Sequence, residues 1–76
     1  MSRIEAVIPL ENYRLNVLFE NGCSMILNLK PRLHTIRFNI LSDEDFFRRA
    51  ATDGIRIFWE NKLEISINEV FQLAQK

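Results

Sequence analysis

The sequence is poor in the residue types that build many functional sites. Its 76 residues include one cysteine, one histidine, two glycines and two prolines. A single cysteine cannot form a disulfide within the chain, which is typical of proteins that fold in a reducing cytoplasm. The two glycines lie far apart, so the chain has no glycine-rich loop to hold a phosphate. We therefore expect a cytoplasmic protein without a cofactor.

Long apolar runs and an excess of either charge are missing as well. No run approaches the roughly 20 apolar residues that a membrane helix needs, and residues 1–20 alternate instead of forming a signal-peptide core. Ten basic residues balance ten acidic ones, so no overall field attracts the chain to nucleic acid or to an anionic surface. We expect no membrane association and no direct nucleic-acid binding.

The chain is nevertheless rich in core-forming residues. It is 47% hydrophobic and contains six phenylalanines and one tryptophan, enough to build one core in a single domain over residues 1–76. A domain of this size buries only about 60% of the surface of its unfolded chain, so its stability is marginal. Association with a partner or with itself would add stability.

Two runs of alternating apolar and polar residues flank Asn21-Gly22, a pattern typical of a β-hairpin. The apolar positions are Tyr13, Leu15, Val17 and Phe19 before the turn, and Cys23, Met25, Leu27 and Leu29 after it. A three-residue loop from Glu20 to Gly22 pairs Phe19 with Cys23, and every following pair is then apolar. This register predicts Gly22 as a left-handed bulge residue and places Cys23 on the core face.

A first strand is predicted over residues 3–10, with one face formed by alternate apolar residues. These residues are Ile4, Ala6, Ile8 and Leu10. Pro9 cannot donate to a strand ladder, so it should lie near the end of the strand or on an edge. An irregular or single-turn connection is expected over residues 32–41.

A helix is predicted to begin at Ser42, with Ser42 and Asp45 forming a capping box, and to end at Asp53-Gly54. A second hairpin follows, in which Trp59 lies opposite Leu63. In a three-residue loop its bulge position falls on Lys62, and a left-handed conformation there costs about 1 kcal/mol or more relative to glycine. In a longer loop, Asn61 would take the left-handed conformation instead.

A last helix is predicted after Ser66, which forms a second capping box with Glu69. The complete order is β-β-β-α-β-β-α. The fold class is therefore α+β, a mainly antiparallel sheet made from two hairpins and an N-terminal strand, with two short helices.

The chain offers little catalytic chemistry. Nucleophilic catalysis needs a nucleophile beside a base, and the only thiol, Cys23, and the only imidazole, His34, lie on different elements. One histidine and one cysteine cannot form a closed zinc site. The acidic run 43–45 is explained by capping of the first turn of a helix. We expect no catalytic and no metal-binding residues, and no enzyme.

Three large apolar side chains break the alternation on the outer side of the hairpins: Leu18, Ile26 and Phe58. They indicate either a surface for a protein partner or a face that the terminal helix, residues 67–75, covers. An isologous dimer through this surface is the sharper hypothesis.

The segment between Glu20 and Asp43 contains no acid. Its candidate contacts for an anion are Lys30, Arg32, His34 and Arg37. They suggest an alternative function, a small-ligand or nucleic-acid accessory domain, although so few charges supply only modest affinity.

The run from Tyr13 to Gly22, followed by Leu41, Phe46 and Trp59-Glu60-Asn61, resembles a small bacterial family, domain of unknown function 2442. The resemblance spans nearly the whole chain, although Glu60 replaces the family's proline and Lys62 its glycine. It implies a regulatory, antitoxin-like adaptor whose partner is a toxin-like protein or a second copy. The chain has no helix-turn-helix segment, so DNA reading is not implied. We predict a non-enzymatic protein-interaction module.

Overall fold

The computed structural model describes residues 2–74 and contains two antiparallel sheets of three strands each and two helices. The first sheet has the order β1-β2-β3, and the second has the order β4-β5-β6. The bounds are β1 Ile4–Leu10, β2 Arg14–Phe19, β3 Ser24–Asn28, α1 Glu44–Phe47, β4 Ala51–Thr52, β5 Arg56–Trp59, β6 Leu63–Ser66 and α2 Ile67–Ala74. Short 3-10 turns over residues 11–13, 30–32 and 39–42 connect them.

The fold is α+β and follows the predicted order of three strands, a helix, two strands and a helix. The structure adds the two-residue strand β4, which pairs with β5 and was not predicted. α1 is correspondingly shorter than predicted and ends at Phe47 instead of continuing to Asp53. The irregular connection before it is confirmed as two 3-10 turns and the loop between them.

The predicted register of the first hairpin is confirmed. Leu15 lies opposite Leu27 and Val17 opposite Met25. Gly22 has φ +90°, and its N–H donates to the Phe19 carbonyl at 3.0 Å, as expected of a three-residue loop with a left-handed glycine. The apolar pattern therefore determines the register of this hairpin.

The predicted faces of β1 are wrong beyond its first residue. A β-bulge between Ile4 and Ala6 shifts the register, so that Val7 lies opposite the buried Val17 and packs against the core. Ile8 is 44% exposed and points to the other side of the sheet. One extra residue in a strand exchanges the faces of all residues after it, which explains the error. Pro9 lies near the end of an edge strand, as predicted.

The second hairpin has the predicted pairing of Trp59 with Leu63. Its left-handed residue is Glu60, at φ +54°, and neither Lys62 nor Asn61 has a positive φ. The Lys62 N–H donates to the Trp59 carbonyl at 3.1 Å, which closes the turn around Glu60. The strain therefore lies at the first loop position and not at the expected third one.

The two helix caps follow the sequence with one correction. In α1 the cap is Asp43 and not Ser42, because the Asp43 carboxylate accepts the backbone N–H groups of Asp45 and Phe46. In α2 the predicted cap Ser66 is confirmed, since its hydroxyl accepts the N–H of Glu69 at 3.2 Å, whereas the Glu69 carboxylate binds Arg37 instead of closing the predicted capping box.

One cluster of buried apolar side chains draws on both sheets and both helices. Trp59 is its largest fully buried member, and the indole Nε1 donates to the Phe47 carbonyl at 2.9 Å. Tyr13 contacts the Phe47 ring edge-on at a centroid distance of 5.4 Å, and its hydroxyl donates to the Ser42 carbonyl at 2.8 Å. These contacts attach α1 to both sheets, with the polar atoms of both aromatic side chains hydrogen-bonded.

Candidate interaction surface

The side of the first sheet that points away from the core forms a regular grid, which we call the outer face. Its three rows across β1, β2 and β3 are Ala6, Leu18 and Ser24; Ile8, Asn16 and Ile26; and Leu10, Arg14 and Asn28. Ile8 is 44% and Ile26 50% exposed. Five of these nine residues are apolar, and Arg14 is the only charged one. The outer face is therefore a mostly apolar surface that is open to solvent.

The bulge in β1 is what makes this surface continuous. It brings Ala6 directly opposite Leu18, and Ile8 directly opposite Asn16. Leu18 and Ile26 are diagonal neighbours on β2 and β3, as the predicted hairpin register requires. Sequence reasoning missed Ile8 because it placed this residue on the same face of β1 as Ile4, which is buried. The signal that could have found it is Val7, a bulky apolar residue among the alternate positions.

The terminal helix does not cover the outer face. Ile67 and Val70 of α2 are buried in the core cluster, on the opposite side of the first sheet. Phe71 stacks on the core residue Phe19 with ring centroids 5.7 Å apart and an angle of 10° between the rings. α2 thus packs on the core side through Ile67 and Val70, and of the two alternatives left open by the sequence, the structure does not show the face covered by this helix.

Phe58 does not belong to this surface. It lies on β5 in the second sheet, between Ala51 and Glu64 of the neighbouring strands. The guanidinium of Arg56 covers its ring at 4.7 Å from the centroid, a cation–π contact. The three predicted anchors are therefore divided between two sheets, and only two of them share a face.

The predicted basic patch is also divided. Arg37 binds the Glu69 carboxylate through both terminal nitrogens, and its Nη2 donates to the Glu64 carbonyl at 2.7 Å. The hydrogen bond to Glu69 raises the pKa of Arg37, so its charge is committed to a clamp between the connection and α2. Lys30, Arg32 and His34 are exposed, and no carboxylate among residues 2–74 forms an ion pair with them.

A groove of about 460 Å³ lies beside β3, between the segment 30–35 and the end of α2. Its lining combines the apolar side chains of Ile26, Pro31 and Leu73 with the polar side chains of Asn28, Arg32 and His34. Ile26 and Asn28 belong both to this groove and to the outer face, so the two features overlap along β3.

The remaining chemical groups do not form a site. Cys23 lies opposite Phe19 as predicted, but it is exposed and not buried in the core; its N–H donates to Asn21 Oδ1 at 2.9 Å in the turn. Among residues 2–74, no three His, Cys, Asp or Glu side chains are close enough together to hold a metal ion. Within the same part of the chain, no helix is both long and apolar enough to cross a bilayer.

Comparison with family models, curated proteins and solved structures found no match to this chain. The resemblance to domain of unknown function 2442 therefore stays a prediction.

Proposed function

We propose that this chain is a non-enzymatic interaction module that associates with a second copy of itself through the outer face. The observation that carries the proposal is the uncovered apolar grid around Leu18, with Ile8 and Ile26 about half exposed. Isolated exposed apolar residues are common, but a contiguous set on one face of a sheet indicates a contact surface.

A second copy is the occupant that the chemistry of the face favours. Asn16 lies at the centre of the grid, and a carboxamide both donates and accepts, so it can pair with the same residue of a symmetric partner. Arg14, the only charged residue of the face, lies in the last row, and its Nε donates to the Glu11 carbonyl at 3.1 Å. With a formal net charge of zero, two copies do not repel each other.

The size of the face sets the expected affinity. Three strands about 4.8 Å apart and three rows about 7 Å apart cover roughly 300 Å². A stable interface buries about 800 Å² on each partner, so a dimer through this face alone should be weak and depend on concentration. Such a module suits regulation, in which a further protein partner strengthens the assembly.

The non-enzymatic part of the proposal rests on the separation of the reactive groups. Cys23 precedes β3 and His34 follows it, so about 17 Å of strand lies between them. A thiol and an imidazole that far apart cannot act as nucleophile and base. The single cysteine supports a cytoplasmic location, and the family resemblance adds the role of an antitoxin-like adaptor that holds a toxin-like protein.

Sedimentation of the purified protein between about 20 µM and about 1 mM tests the proposal in the range expected for a weak dimer. We expect the average mass to rise with concentration, and Ile8→Arg and Leu18→Arg to keep the protein monomeric. Ile55→Arg is the matched control, because Ile55 is 57% exposed but lies outside the grid.

Two outcomes would refute the proposal. One is a wild-type protein that stays monomeric over the whole range. The other is association that Phe58→Arg abolishes and Ile8→Arg does not, since the contact would then lie on the second sheet. Ile8→Arg guards against misfolding, because Ile8 is exposed on an edge strand.

A further inference from the structure

We infer that the groove beside β3 binds a small organic anion, a carboxylate on an apolar body. Its volume of about 460 Å³ lies within the range of small-molecule sites. The inference does not rest on the proposed dimer, because Arg32 and His34, the basic groups of the groove, lie outside the outer face, although Ile26 and Asn28 belong to both.

The polar side chains that line the groove are hydrogen-bond donors. Arg32 and His34 are exposed, and the chain has no acid between Glu20 and Asp43 to neutralise them. Asn28 Oδ1 accepts the backbone N–H of Lys30 at 3.1 Å, which leaves the Asn28 amide NH₂ as a donor. A guanidinium and an amide together match the two oxygens of one carboxylate.

The turn that carries Arg32 is held in place before any ligand arrives. The Arg32 N–H donates to the Leu29 carbonyl at 2.9 Å, and the Arg32 carbonyl accepts the Thr35 hydroxyl at 2.7 Å. The same hydroxyl accepts the N–H of Phe38 at 3.3 Å. A turn held by its own hydrogen bonds reduces the ordering cost of binding.

The apolar part of the lining selects the rest of the ligand. Ile26, Pro31 and Leu73 offer apolar surface, which a free phosphate would leave unused. Nucleic acid would need many basic contacts along a track, whereas Arg37 is already occupied by Glu69. An aromatic or aliphatic group that ends in a carboxylate uses both the apolar and the polar side chains of the lining.

The test is a heteronuclear NMR titration with phenylacetate as the probe. We expect saturable shifts of the amides of Ile26, Arg32, His34 and Leu73, with a Kd of about 1 mM for a ligand of this size. Phenylacetamide has the same body without the charge, and acetate has the charge without the body. Each should bind at least about tenfold more weakly, a difference of about 1.4 kcal/mol.

Variants assign the binding to the groove. Arg32→Gln should weaken phenylacetate binding at least about tenfold, whereas Arg48→Gln, which removes the same charge from an exposed site elsewhere, should not. Leu18→Arg should leave it unchanged, which separates the groove from the dimer. Absence of shifts, equal binding of phenylacetamide, shifts with inorganic phosphate alone, or full binding by a folded Arg32→Gln protein would each overturn the inference.

Discussion

Glu60 is held in the left-handed region, at φ +54°, in the turn between β5 and β6. A non-glycine residue in this conformation costs about 1–2 kcal/mol, and glycine adopts it without a steric penalty. Glycine also raises the entropy of the unfolded chain, which costs about 0.4–1 kcal/mol. We predict that Glu60→Gly is more stable than Glu60→Ala by about 0.5–1 kcal/mol.

The comparison with alanine isolates the contribution of the backbone conformation to the free energy of unfolding. Both variants remove the ion pair of Glu60 with Arg49, whose side chains are 43% and 61% exposed. Such an exposed pair contributes only about 0–1 kcal/mol, and its loss cancels in the difference. Lys62 is the matched control in the same loop, since it lacks a positive φ. There, Lys62→Gly should be less stable than Lys62→Ala by about 0.5–1 kcal/mol.

Urea or thermal unfolding of the four variants measures the two differences. In a domain of this size 1 kcal/mol corresponds to a change in Tm of about 4–8 °C, which is readily measured. We predict that the difference in unfolding free energy between the glycine and alanine variants has opposite signs at positions 60 and 62. A glycine that destabilises at position 60 and stabilises at position 62 would refute the assignment of the strain to Glu60.

Two further predictions concern charged side chains. The hydrogen bond from Arg56 lowers the pKa of Asp53. The ionised Asp53 carboxylate therefore stabilises the fold fully above the ordinary pKa of 3.8, and this stabilisation is lost as the pH falls through the lowered pKa. In urea unfolding, Asp53→Asn should therefore destabilise at neutral pH and much less in acid; a difference independent of pH would contradict this. Arg37→Gln breaks the clamp to Glu69 and should cost about 1 kcal/mol, against less than about 0.5 kcal/mol for Arg48→Gln, since Arg48 forms no ion pair with residues 2–74. Equal unfolding free energies of these two variants would contradict the clamp.

The hairpins could be predicted because alternation and turn length act together. Once Phe19 is paired with Cys23, every following pair of the first hairpin is determined, and the same argument pairs Trp59 with Leu63. The helices were located from capping residues, but Asp43 replaced Ser42 as the cap because both side chains suit that position.

The errors arose where one residue changes the geometry without changing the composition. From Ala6 onwards β1 is apolar throughout, so only tertiary packing decides whether Val7 or Ile8 lies inward. The left-handed residue of the second turn was equally hidden, since neither Glu60 nor Lys62 has a local preference for that conformation. β4 has two residues, too few for a detectable period.

The candidate site was only partly predictable for the same reason. Leu18 and Ile26 were found because they break the alternation within one hairpin. Phe58 also breaks the alternation of its hairpin, but the sequence does not indicate that this hairpin belongs to a different sheet from Leu18 and Ile26. The commitment of Arg37 to Glu69 depends on a contact between residues 32 positions apart, which no local pattern indicates.

A dilution series followed by methyl NMR tests the outer face most directly. Between about 1 mM and about 20 µM, we predict that the methyl signals of Ile8, Leu18 and Ile26 shift together, while those of the core residue Ile65 stay constant. Spectra that do not change on dilution, or changes confined to the second sheet, would contradict association through this face.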